Sequence, residues 1–70
     1  MAYKLREIHR AAKSLYGEEW DAKVAEYGPQ LRERSKRENC TPTAAAIHWA
    51  KEPDCDPRLS FLVLAVAVEI

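Results

Sequence analysis

Leu59-Ser60-Phe61-Leu62-Val63-Leu64-Ala65-Val66-Ala67-Val68-Glu69-Ile70 decides the fold. This segment is apolar on nearly every side, and it follows Asp56-Pro57, which reads as an N-cap and a first helical position. A helix apolar all round has to be buried. Twelve residues fall short of the roughly 20 that cross a bilayer, so the rest of the chain is expected to fold around this segment. Val63, Val66 and Val68 also suit a strand, but no second segment reads as a strand to pair with it, and an unpaired strand leaves its backbone groups unsatisfied. The expected architecture is therefore all-α: one domain over residues 1–70, a small bundle of three to five short helices with the apolar C-terminal helix at its centre.

Working back along the chain, Thr41-Pro42 is a second N-cap and first-position pair. The helix it opens places Thr43, Ala46, Ile47 and Ala50 on one face, with Trp49 at the edge, and Pro53 ends it. The small residues allow close approach to the C-terminal helix. A first helix is expected from about Ala2 to Tyr16. Leu5, Ile8, Ala12, Leu15 and Tyr16 form its buried face, and Gly17 stops it. A second helix begins near Glu18, with Glu18, Glu19 and Asp21 at the positive end of its dipole. Trp20, Val24 and Tyr27 form its apolar stripe. Gly28-Pro29 is strong punctuation, so a break with Pro29 opening a new helix is favoured over one kinked helix from 18 to 38. Leu31, however, continues the Trp20 stripe. In LRERSKRE (31–38), Glu33 to Arg37 is the favourable i, i+4 pair and Arg34 to Glu38 the weaker reversed one.

Composition narrows the function classes. Eleven Lys and Arg balance eleven Asp and Glu in 70 residues, which argues against a partner found by bulk charge. The charge is unevenly spread: residues 1–39 hold nine basic and seven acidic side chains, and residues 40–70 hold two and four. The N-terminus is charged and lacks the apolar core of a secretory signal, so a cytoplasmic location is expected. Two cysteines in that setting read as free thiols. Cys40 and Cys55 flank the third helix, whose length separates them by about 15 Å, too far for a disulfide. A zinc set drawn from Cys40, His48, Cys55 and His9 lacks the compact spacings of tetrahedral sites, and His48 is expected to project away from both cysteines. No metal or other cofactor is expected. A Cys–His catalytic pair would need a pocket and an orienting third group, for which so small a bundle has little room, so no enzyme activity is expected.

Two kinds of surface remain. Arg6, Arg10 and Lys13 share a face of the first helix at i, i+4 and i+7. Arg32, Arg34, Lys36 and Arg37 crowd the second helical region. Together they could form a phosphate-binding face, although the second group points in scattered directions with Glu33 and Glu38 interleaved. A helix-turn-helix reader is disfavoured, because the third helix begins with Thr and Ala rather than residues that read base edges. The six aromatic residues are mostly expected in the core, but exposed Tyr, Trp and Arg anchor protein interfaces. A partner-binding face of Tyr3, Arg10, Trp49 and Glu52 is therefore the leading expectation. It would make the chain a non-catalytic inhibitor, adaptor or regulator of a protein or ribonucleoprotein target. In size and character the chain resembles small phage or mobile-element accessory proteins, anti-CRISPR inhibitors among them, a likeness that no residue motif carries. A nucleic-acid-binding module is the alternative. A homodimer burying the Ile70 end is a third reading beside the monomer; no membrane association is expected.

Overall fold

The structure, a computed structural model, describes residues 4–70; Tyr3 and the expected start of the first helix near Ala2 lie outside them. Among the described residues are four α-helices and no strand: α1 (Leu5–Tyr16), α2 (Trp20–Glu38), α3 (Pro42–Ala50) and α4 (Pro57–Glu69), with a single 3-10 turn (Gly17–Glu19) between α1 and α2. None of these helices is long and apolar enough to cross a membrane.

α4 is the centre, and it packs against α1, α2 and α3. Val63, Ala65 and Val66 are wholly buried, and Leu62 and Ala67 nearly so. Ala45 and Ala46 of α3 are equally buried against it. Methyl side chains at both positions leave little between the two backbones, so this pair of helices lies close. Leu31 and Trp20 from α2 and Ala12 from α1 complete the core.

The local signals for helix ends act as read. Thr41 Oγ1 accepts from the Ala44 N–H at 3.1 Å, and Asp56 Oδ1 accepts from the Leu59 N–H at 2.9 Å. Each satisfies one of the orphan donors of a first turn. Gly17 closes α1 at φ 55°, a backbone conformation that costs glycine little. Asn39 closes α2 in the left-handed region, φ 54° and ψ 52°.

Three expectations need correction. The chain does not break at Gly28-Pro29; α2 runs through, with Pro29 inside it. Pro29 is exposed, and so is Ala25, whose carbonyl the proline leaves without its helical partner, so water is at hand to satisfy it. Gln30 Nε2 adds a donor to the Glu26 carbonyl at 2.9 Å in the same turn. Continuity keeps Trp20, Val24, Tyr27 and Leu31 on one inward face, and that burial outweighs the lost hydrogen bond. Gly28 itself is buried beneath the chain's last residue: a Cβ there would lie 3.4 Å from Ile70 Cγ2. Ile70 thus packs onto α2 within the same chain. Leu15, expected on the buried face of α1, is 73% exposed, and Ile47, expected on that of α3, is 37% exposed. In each helix the small neighbours Ala12, and Ala45 with Ala46, take the contact with α4 instead.

Candidate functional site

The α1 stripe forms one wall of an open groove. Arg6, His9, Arg10, Lys13 and Ser14 line it together with Val68 of α4, and its volume is about 670 Å3. Helical periodicity alone places the three cations together, since i, i+4 and i+7 fall on one side of the cylinder. None of them forms an ion pair with a described residue. His9 is anchored: its Nε2 lies 2.7 Å from Glu69 Oε1, and its ring meets Trp20 edge-on with centroids 5.6 Å apart. Trp20 Nε1 donates to the same carboxylate oxygen at 3.1 Å. The hydrogen bond from His9, then that from Trp20, hold the Glu69 carboxyl below its ordinary value of 4.5 against the opposing effect of burial.

A second, smaller concavity of about 240 Å3 lies between α2 and α3, lined by Gln30, Glu33, Arg34, Arg37 and Trp49. Arg34 is engaged here three times over. It is ion-paired with Glu52 Oε1 at 2.6 Å, it donates to Glu38 Oε2 at 3.4 Å, and its guanidinium stacks over the Trp49 ring 5.0 Å from the centroid. Tyr27 meets the same ring edge-on at 6.1 Å. The reversed Arg34–Glu38 pair therefore forms, while Glu33 and Arg37 make no ion pair with a described residue. Glu38 is also bonded by His48 Nδ1 at 2.8 Å, and this bond is the main cause of a lowered Glu38 carboxyl pKa, with Arg34 adding to it.

The candidate partner-binding residues therefore divide between two places. Trp49 and Glu52 lie together on the α2–α3 face, Arg10 lines the α1 groove, and Tyr3 falls outside the described residues. Among the candidate phosphate-binding residues, Arg6, Arg10 and Lys13 share the groove, Arg34 and Arg37 line the second concavity, and Arg32 and Lys36 are exposed on α2 and line neither. Both cysteines are free thiols. Cys55 Sγ sits 3.3 Å from Ser60 Oγ. Cys40 instead lies in a donor group with Glu38 and His48. The expectation that His48 projects away from both cysteines is thus corrected. Pairing of 38 with 48 and of 34 with 52 shows that α3 folds back along α2, and helical side chains lean toward their N-terminus, which returns His48 to the joint.

Both lowered carboxyls predict acid sensitivity. A folded pKa below the unfolded value contributes stability above that value, which is lost as pH falls through the folded pKa. The melting temperature is expected to fall below about pH 4.5. The double variant Glu38→Gln/Glu69→Gln should show a shallower fall in circular-dichroism melts, and an unchanged slope would contradict this account.

Comparison with protein-family models, curated proteins and solved structures finds no match to this chain.

Proposed function

We propose that this protein is non-catalytic and acts by binding another protein, with the α1 groove receiving an acidic segment of the partner. The observation that supports this is the set of three cations on one helical face, Arg6, Arg10 and Lys13, none ion-paired with a described residue and all lining a groove that Val68 also lines. Carboxylates on a partner helix at i, i+3 or i+4, and i+7 match this spacing, and Val68 offers a contact for an apolar residue between them. The biological role is that of an inhibitor, adaptor or regulator in the cytoplasm, of the kind small mobile-element accessory proteins supply.

Phosphates are the alternative ligand for the same cations. The stripe runs seven residue steps from Arg6 to Lys13, about 10 Å of helix, and so meets only a few phosphates. The α2 cations do not extend it, because Arg34 is committed to Glu52, Glu38 and Trp49. Few phosphate contacts give weak, salt-sensitive binding.

The test uses wild type and Arg6→Glu/Arg10→Glu, the latter shown folded by circular dichroism. Wild type should retain a protein from nuclease-treated extract and bind it again when purified, and the variant should lose it. Equal retention by both would refute the groove. Salt-sensitive micromolar binding to generic DNA or RNA in fluorescence anisotropy, absent in the variant, would establish the phosphate reading instead.

A further inference from the structure

We propose that Glu38, Cys40 and His48 form a binding site for a single zinc ion at the joint between α2 and α3. A carboxylate oxygen, a thiol sulfur and an imidazole nitrogen from these residues all lie within 4.8 Å of one another. Tetrahedral zinc, with bonds of about 2.0–2.3 Å to O, N and S donors, requires donors roughly 3.3–3.7 Å apart, so side-chain rotations of the order of 1 Å close the set. The donors come from three distinct backbone positions. Glu38 is the last residue of α2, Cys40 follows the left-handed Asn39, and His48 comes from the later part of α3. The left-handed turn at Asn39 brings the first two near each other, and the fold-back of α3 supplies the third.

The chemistry of the set selects the metal. One sulfur and one nitrogen donor exclude the hard cations calcium and magnesium, which take oxygen ligands, and match zinc or a similar borderline ion. The two oxygens of Glu38 divide their work. Oε1 faces His48 at 2.8 Å, while Oε2 is held by Arg34 at 3.4 Å. A ligating carboxylate fixed by an outer hydrogen bond is the usual arrangement around bound metals. The Arg34 charge does not oppose the ion alone, because Glu52 pairs with it at 2.6 Å. Arg37 is a further basic side chain acting on Glu38, after Arg34 and His48. On binding, the hydrogen bond between His48 Nδ1 and Glu38 Oε1 gives way to the metal: the Cys40 thiol releases its proton to solvent, the imidazole binds in its neutral form with any remaining N–H on the nitrogen that does not ligate, and thiolate and carboxylate together balance the dication. The His48 side chain is 56% exposed, so the fourth position opens to water. Cys55 and His9, the other members of a Cys/His set, lie elsewhere, bonded to Ser60 and Glu69.

Cobalt(II) is the probe for this site, since its spectrum reports thiolate ligation and tetrahedral geometry. Titration into the reduced full chain should saturate at one equivalent. It should show thiolate-to-cobalt charge transfer in the near ultraviolet and the visible bands of a tetrahedral ion, and zinc should bleach both. Cys40→Ser should abolish the charge-transfer band and Cys55→Ser should keep it. His48→Ala and Glu38→Gln should each weaken binding more than about tenfold, since even outer-shell partners cost that much. All four variants are checked for folding by circular dichroism. No saturable band, a band lost in Cys55→Ser, or equal affinity in His48→Ala and Glu38→Gln would overturn the proposal.

Discussion

Val66→Asp is expected to abolish the cooperative thermal transition. Val66 has no exposed surface and sits in the middle of α4, where three other helices converge. Removing its methyl groups forfeits about 1.5–3 kcal/mol of burial. Placing a carboxylate there without a partner adds several kcal/mol more, or forces the group to stay protonated at a similar cost. A domain of this length has about 3.5–10 kcal/mol of total stability, so the two terms together consume it. Leu15→Lys is the contrasting substitution. The sequence pattern places Leu15 on a buried face, but it is 73% exposed, and a cation in the last turn of α1 suits the helix dipole. Its stability should change by less than about 1 kcal/mol. Circular-dichroism melts of the two variants separate the bundle built around α4 from any packing in which α1 buries its Leu15 edge.

The parts of the fold legible in the sequence are those whose causes are local. Thr41-Pro42 and Asp56-Pro57 start helices because the cap, the free N–H it satisfies and the fixed proline φ all lie within four residues. The buried role of α4 follows from composition alone, since no orientation of that helix exposes a polar face. The continuity of α2 through Pro29 has a different origin. The local rule counts the lost hydrogen bond and the ring, and both favour a break. What overrides it is the inward alignment of Trp20, Val24, Tyr27 and Leu31 against other helices, together with the outward position of Pro29. A similar reason hides the exposure of Leu15. Periodicity defines a stripe about a hundred degrees wide, but only the neighbouring helix determines which edge of it is covered.

The candidate sites divide along the same line. Arg6, Arg10 and Lys13 are a single-helix pattern, and the sequence alone is enough to group them. The Arg34–Glu52 ion pair and the Glu38–Cys40–His48 group link α2 to α3 and the turns that flank α3, through a left-handed turn and an antiparallel return. A search confined to cysteine and histidine spacing cannot reach a set whose third donor is a glutamate two residues before the cysteine. The Glu38-x-Cys40 spacing is the one local trace of that set.

Trp20→Ala should cost about 3–5 kcal/mol, the range for truncating a buried aromatic side chain, and lower the melting temperature by more than about 12 °C in a domain of this size. The side chain is 2% exposed and links its own helix to two others. It meets the His9 ring edge-on at 5.6 Å and the Tyr16 ring at 6.5 Å on α1, and it donates to Glu69 at the end of α4. Trp20→Phe keeps most of the apolar contact and removes only the indole donor, so its cost should fall to the 1.5–3 kcal/mol typical of a hydrogen bond to a charged acceptor, or below it because the Glu69 side chain is 37% exposed. Trp49→Ala is the internal reference, because Trp49 is only half-buried and stacks beneath Arg34 at the surface. Ranking by denaturant midpoint should place Trp20→Ala well below Trp49→Ala, with Trp20→Phe less damaging than Trp20→Ala. If Trp20→Ala and Trp49→Ala cost the same, Trp20 does not join α1, α2 and α4 as described. If Trp20→Phe costs as much as Trp20→Ala, the indole hydrogen bond rather than the packed ring holds that junction.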